Sequence, residues 1–489
     1  MGIPQGGIAV GSFHDARTGV PSKGHPVSTT SPTAARARTA PRGLALSLIA
    51  AAQFVVIMDT SIIGVALPDI RRDLGFSPDA LSWVFNAYVI AFGGLLLLGG
   101  RLADLFGARR MFTTGWVLLL AGSVAAGLAA NPAIEIAARA VQGAGAALIA
   151  PAALTLLMTT FGGTPHLPRA FAVYGAAAPI GGTAGVFLGG VLTEYLGWPW
   201  VFYVTAPIAL AILLLTPRAF GSSPRSTGRI DVLGAVTGTA GLALTVFSIV
   251  RAPEAGWADA ATIAPLAVGV ALLVAFVIRQ LRAAEPLLRP GLLRTPLLGG
   301  ANLAQLLLGG AWIPMWFFLN LHLQNVLGAS AFAAGAALIP MTALIVVGMT
   351  VVAPRLAARW GTLPMVTIGF ALLAAGALWL SFARPGGSYL VDVLPASLVA
   401  AAGMAFAFVP SLSTAIASAP VAESGVASGL VNTSYQVGSA LGLAVLAAVS
   451  SSVGAANGDA AGFSAAFAGA AAVAAAGAIA APLTLRARR

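Results

Sequence analysis

Three ionisable side chains sit where an apolar chain has no ordinary use for them. Asp59 lies in Met58-Asp-Thr-Ser-Ile-Ile-Gly-Val-Ala-Leu-Pro68, while Glu135 and Arg139 lie four residues apart in Ala133-Ile-Glu-Ile-Ala-Ala-Arg139. A charge at the centre of a membrane span costs about 2.5 to 3.5 kcal/mol on insertion scales, so it faces a partner or a cavity and marks function. Counting back from Pro68 places Asp59 roughly 14 Å below one end of its helix. Asn131-Pro132 reads as a helix cap followed by a proline at the first position, which places Arg139 about 10 Å below the same end. The two depths are close. A guanidinium beside a carboxylate favours its ionised form, and separating the two restores the protonated form, which is the chemistry a proton-driven cycle needs. Glu135 is the rival partner, one turn from Arg139 on the same face, although an acid in the first turn of a helix is also favoured by the dipole alone. An Asp59 satisfied by helix packing, with no proton chemistry, is the bland alternative.

These groups have to be positioned by long apolar elements. The chain has 489 residues, 58% of them hydrophobic and only 8% charged, too few solvated side chains to cover a soluble protein of this length. Spans of about 20 apolar residues cross a bilayer core. The sequence predicts fourteen, beginning near Leu44, Leu81, Met111, Ala133, Ala170, Trp200, Val232, Ala261, Leu297, Phe332, Leu363, Leu390, Gly425 and Phe463. With the N-terminus inside, 21 of the 26 basic residues fall on inside segments and only Arg71, Arg72, Arg251 and Arg384 outside, as the positive-inside rule asks. Both termini are therefore expected to be cytoplasmic. The net charge of +11 is a topology signal rather than a nucleic-acid surface.

One charged, glycine-turned segment is used twice. Gly100-Arg-Leu-Ala-Asp-Leu-Phe-Gly-Ala-Arg-Arg110 matches Pro354-Arg-Leu-Ala-Ala-Arg-Trp-Gly361 at a constant offset, which reads as an internal duplication with a substrate site between the repeats near the bilayer midplane. Asp104, expected in an inside loop, can accept backbone N–H bonds or pair with Arg101, Arg109 or Arg110, and Gly107 permits the tight turn. A membrane anchor without a gating role is the alternative.

Several function classes drop out. There is no Cys, and the four histidines, His14, His25, His166 and His322, are scattered through what read as tails and loops, so no metal site is legible. His322 is expected in an outer loop. The single lysine, Lys23, lies in Pro-Ser-Lys-Gly-His, so no nucleotide-cradling loop can be built and the protein is expected not to be an enzyme or to need a cofactor beyond the proton gradient. Residues 1–43 are rich in Pro, Ser, Thr and Gly and read as a disordered basic tail. The run from Leu44 is too long and too far along the chain for a cleaved signal.

From Leu44 to the last helix the chain resembles the fourteen-helix drug:proton antiporter branch of the major facilitator superfamily. Met58 to Pro68 resembles that branch's helix 1 signature, Gly100 to Arg110 its loop motif, and Ala138-Arg-Ala-Val-Gln-Gly-Ala-Gly145 its helix 4 motif. Leu323-Gln-Asn-Val-Leu-Gly328 and Glu423-Ser-Gly-Val-Ala-Ser-Gly-Leu-Val-Asn432 resemble segments of its C-terminal half. The resemblance implies an all-α fold with two six-helix bundles, here 44–216 and 297–489, and two inserted helices within 217–296. It implies that helices 1 and 4, which here bear Asp59 and Arg139 with Glu135 as the rival acid, carry proton coupling, and that Gly100, Arg101, Asp104, Gly107, Arg109 and Arg110 form a conformational latch. Leu105, Ala108 and Val186 depart from the family pattern, the first two replacing basic residues and the third a proline.

On helix 5, Gly181, Gly185, Gly189 and Gly190 form a small-residue stripe against which another helix can pack closely. The substrate cavity is expected to be lined by polar and aromatic residues stranded in apolar helices. These are Asn86 and Tyr88 on helix 2, Gln142 on helix 4, Asn302, Gln305, Trp312 and Trp316 on helix 9, and Asn432 and Gln436 on helix 13. Interhelical hydrogen bonding without substrate contact explains such residues equally well. The expectation is a monomeric, proton-coupled exporter of hydrophobic drugs in a bacterial plasma membrane, since scarce lysine beside abundant Ala, Gly and Arg suggests a GC-rich genome. Export or flipping of an endogenous lipid or metabolite is the second reading, and a non-transporting membrane sensor the third.

Overall fold

The computed structural model describes residues 42–76, 83–221, 231–283, 296–419 and 424–485, with Gly2, Leu81 and Pro286. The tail assigned to 1–43 lies almost wholly outside the described residues, as does Glu423. Every described element is helical. We number the long helices α1 (Arg42–Leu74), α2 (Trp83–Phe106), α3 (Ala108–Gly127), α4 (Pro132–Phe161), α5 (Leu167–Leu196), α6 (Trp200–Ala219), α7 (Val232–Ala255) and α8 (Ala260–Arg282). There follow α9 (Leu297–Val326), α10 (Phe332–Trp360), α11 (Thr362–Leu380), α12 (Tyr389–Ala417), α13 (Ser424–Asn457) and α14 (Asp459–Thr484). Among the described residues, thirteen helices are long and apolar enough to cross a membrane. The remaining one, α3, has 20 residues and opens on the polar turn Ala108-Arg-Arg.

The starts fall within four residues of those read from hydrophobic runs, and side-chain caps fix several of them. Asn131 Oδ1 accepts the Ile134 N–H at 3.0 Å ahead of Pro132, Asp231 caps α7 through Gly234 at 3.0 Å, and Ser330 caps the first turn of α10 through Ala333. Gly107 and Gly361, the matched glycines of the repeated segment, both take positive φ, 91° and 82°, and each separates two helices with no loop between them. Asp104 therefore stands in the last turn of α2 and not in a loop.

Without a hydrophobic drive between helices in lipid, association depends on close backbone contact, which small residues permit. A Cβ at Gly185 would lie 2.8 Å from the Met58 carbonyl oxygen and one at Gly189 2.7 Å from that of Ile62, while Gly181 sits against the Phe54 carbonyl, so the stripe on α5 packs onto α1. Gly190 departs from the expectation, for it faces open space. A second seam joins α9 to α13, where Gly438 abuts the Leu306 carbonyl and Gly442 the Gly310 backbone. The pair α7 and α8 packs through Gly241 on Leu273 and Gly269 on Thr245, and Gly94 of α2 meets Thr239 of α7. Asp231 ties the two ends of this pair together, pairing with Arg279 at 3.1 Å and accepting from Gln280 at 3.2 Å.

Gly438→Ala should drive a methyl group into the Leu306 carbonyl and lower stability by about 1 to 3 kcal/mol. Gly190→Ala, with nothing in the way, should leave stability unchanged or slightly raised. Thermal unfolding of both variants in the same detergent checks the difference, and equal melting would contradict backbone-to-backbone packing of α9 on α13.

Candidate functional site

Asp59 of α1 and Arg139 of α4 meet. Arg139 Nη1 lies 2.7 Å from Asp59 Oδ2, and both side chains are fully buried. Arg139 Nη1 also donates to Gln142 Oε1 at 2.9 Å and its Nε to the Val84 carbonyl at 2.9 Å. Gln142 Nε2 in turn donates to Asp59 Oδ1 at 3.1 Å and to Ser123 Oγ at 2.8 Å. The guanidinium lies 4.6 Å over the Tyr88 ring and 5.9 Å from that of Phe202, and Tyr88 donates its hydroxyl to the Val56 carbonyl at 3.2 Å. Side chains of α1, α2, α3 and α4 thus converge on one charge pair. A buried pair is held only when its remaining donors and acceptors are satisfied, and this network meets most of that demand. Gln142 and Tyr88, expected to line a cavity, serve the pair instead and are fully buried. Ser123 was not singled out from the sequence; a lone hydroxyl in the apolar run of α3 was the available signal.

Glu135 is also fully buried, although a wet position in the first helical turn was an open reading. Neither of its oxygens has a hydrogen-bond partner among the described residues, and the same holds for Arg139 Nη2. An apolar cluster including Ile63, Phe76, Val84, Trp198, Val201 and Phe202 gathers at this end of the helices, where Trp198 Nε1 donates to Asp73 at 3.0 Å.

At the opposite end of α2, buried Asp104 accepts the Val426 backbone N–H through Oδ2 at 3.0 Å. Val426 lies in the first turn of α13, so the carboxylate from α2 caps a helix of the other repeat at its positive end. Close approach makes this possible, with a Cβ at Gly429 reaching 2.9 Å from the Leu96 carbonyl and 3.5 Å from Gly100. Arg101 and Arg109 are half-buried and Arg110 is exposed. Leu105 and Ala108, which replace basic family residues, are buried. In the worn repeat, Ala358 stands at the position of Asp104 and Arg355 bonds its own helix at the Val351 carbonyl.

The faces predicted for α9 and α13 mostly hold helices together. Asn302 accepts from Ser434 at 2.9 Å and Gly309 abuts the Tyr435 carbonyl, both on α13. Gln305 donates to Ser411 at 2.9 Å and to the Phe408 carbonyl at 3.1 Å on α12. Asn86 and Trp312 are buried. Trp316, Asn432 and Gln436 are half-buried, and Asn432 donates to the Ser428 carbonyl at 2.9 Å. His322, expected in a loop, is buried in a π-helical turn ending α9, edge-on to Phe467. A missed contact across the repeats is the hydroxyl bond between Thr183 on α5 and Thr342 on α10, which pattern reading could not pair because each threonine is isolated. Among the described residues no cluster of His, Asp or Glu could hold a metal ion.

Comparison with known proteins extends this geometry. The family model described as Major Facilitator Superfamily matches residues 49–443. The cephamycin export protein CmcT of Amycolatopsis lactamdurans is 43% identical over 84% of this chain and 85% of its own. The puromycin resistance protein pur8 of Streptomyces alboniger is 40% identical over 81% and 79%. Among solved structures, the human organic anion transporter MFSD10 shares the fold, with a TM-score of 0.67 at 16% identity over 90% of this chain and 99% of that one. A multi-pass helical chain with these relatives and this arrangement belongs to the Major Facilitator Superfamily, within its drug-efflux branch.

Proposed function

We propose that the protein exports hydrophobic antibiotics across a bacterial plasma membrane by alternating access, driven by proton entry. The buried Asp59–Arg139 pair carries the reading, since an acid paired to an arginine inside a span can load a proton only when the pair opens. The cephamycin and puromycin names of two relatives support antibiotics as the cargo class. Counting α3 gives fourteen spans, arranged as six-helix bundles α1–α6 and α9–α14 with α7 and α8 between them. Both termini face the cytoplasm, as the basic asymmetry asks. The unit is a monomer in contact with lipid, cargo and protons, and it performs transport rather than bond chemistry.

The energy suffices. One proton moving down about 150 mV and one pH unit releases about 5 kcal/mol, enough to hold roughly a thousandfold gradient of a neutral compound. Everted vesicles energised by a proton gradient and supplied externally with puromycin or a cephamycin test the cargo class. Gradient-driven uptake of neither, together with flipping of a labelled lipid, would replace this reading with lipid export.

Asp59→Asn should abolish gradient-driven accumulation in such vesicles while leaving downhill exchange intact. Because Arg139 loses its 2.7 Å partner, stability should fall by at most about 3 to 5 kcal/mol, the cost of a guanidinium left with no other carboxylate to take it, and Asp59→Asn with Arg139→Gln should not restore accumulation. Accumulation at the wild-type level in Asp59→Asn would remove this residue from the coupling.

Asp104→Asn keeps the shape of the latch but exchanges a charge-assisted bond for a neutral one, a loss of about 1 to 2 kcal/mol. Transport should fall roughly tenfold with substrate binding retained. Binding by fluorescence quenching and flux measured on one preparation separate the two effects, and unaltered flux would reduce the segment to an anchor.

A further inference from the structure

The coupling pair leaves two loose ends on one helix. Arg139 Nη2 is buried with no hydrogen-bond partner among the described residues, and one turn away both oxygens of fully buried Glu135 have none either. The charged groups acting on Glu135 are Arg139 on its own helix and Asp59 on α1; Tyr88 on α2 is the other titratable group around the guanidinium. The remaining neighbours of the guanidinium named above, Gln142, Phe202 and the Val84 carbonyl, carry no charge. Arg139 already balances one carboxylate, Asp59, through a 2.7 Å contact. A second ionised carboxylate here would be buried without a donor or a compensating charge, which proteins avoid by retaining the proton.

We propose that Glu135 is a second proton site that exchanges the Arg139 guanidinium with Asp59. The inference rests on the proton-coupled reading above. In the state described here Glu135 is a neutral acid and Asp59 is the charged partner. When the Glu135 proton passes to Asp59, the Glu135 carboxylate takes Arg139 Nη2 and Asp59 is left neutral, so that one cation and one anion are present before and after. Glu135 then takes the next proton as Asp59 releases its own inward and recovers Arg139. In the proposed orientation Glu135 lies one turn nearer the outer end than Arg139, the side from which that proton comes. The net result of a cycle is one proton moved inward, with the cluster never holding two uncompensated charges.

Infrared spectroscopy of the purified full-length protein at neutral pH, without substrate, reads this directly through the C=O stretch of protonated carboxylic acids. Wild type should show a band from a buried acid that Glu135→Gln removes. In Asp59→Asn, which imitates the loaded Asp59, that band should be lost as Glu135 ionises to pair with Arg139, while the amide band of the same spectrum reports that the helices are intact. Arg139→Gln, which leaves neither acid a counter-ion, should raise the band about twofold and gives a second reading if Asp59→Asn does not fold. No such band in wild type, a band insensitive to Glu135→Gln, or one unchanged in both of the other variants would overturn the proposal. Gradient-driven accumulation persisting in Asp59→Asn would instead defeat the coupling reading, which the spectra do not measure.

Discussion

The contact between Asp59 and Arg139 sets the conditions that the surrounding helices must meet. Removing two charges from water costs several kcal/mol per ion even after relaxation, and their attraction repays it only with close geometry and satisfied neighbours. That requirement accounts for the groups gathered from three helices: Gln142 of α4, Ser123 of α3, and the Val84 carbonyl and Tyr88 ring of α2. It also accounts for the small residues around them. Gly122 makes room for Gln142, since a Cβ there would sit 2.7 Å from its Cγ, Gly143 abuts the Tyr88 carbonyl, and Gly185 abuts the carbonyl of Met58, the neighbour of Asp59. The glycines are where they are because the charges need the helices close.

The two repeats have divided the work unequally. The N-terminal one holds the buried pair, Glu135 and the acid of the latch, whereas the worn copy has Ala358 in place of that acid and uses Arg355 to bond its own helix. Among the described residues after α8, the acids are Asp392, paired with exposed Arg384 at 2.9 Å, and Asp459 at the start of α14. Buried polar groups on α9, α12 and α13 are amides and hydroxyls bonded to one another.

How much of this was legible follows from what each signal depends on. Helix starts were readable because apolar runs and the caps present are local; the depth of Arg139 followed from the start of α4 by rise per residue, while that of Asp59 was counted from Pro68, which lies within α1 rather than at its end, since α1 continues to Leu74. The two positive-φ turns were readable because Gly107 and Gly361 stand at matching positions of a repeat. What could not be read was which partner several other polar side chains turn toward. Gln142 and Tyr88 carry the same pattern as cavity-lining residues but turn toward the pair, a choice made by a partner 83 residues away for Gln142. Asp104 finds the Val426 amide across 322 residues, and no spacing rule reaches that far. His322 looked like a loop residue because its polar neighbours hide that the chain continues as a widened π turn.

The helix that connects these distant facts is α2. Near one end it offers the Val84 carbonyl and the Tyr88 ring to Arg139, and near the other it presents Asp104 to the first turn of α13. The two stations are roughly 30 Å apart along a continuous helix, stiff enough that tilting one end displaces the other. A guanidinium that leaves Asp59 must change its bond to Val84 and its seat over Tyr88, and so pulls on α2. A carboxylate that caps α13 holds only while α2 keeps its place beside Gly429, where backbone lies against backbone with no side chain to absorb a shift. A single element therefore links the seat of the Arg139 guanidinium to the Asp104 cap on α13, and under the transport cycle proposed above this is the route by which the pair would act on that cap without touching it.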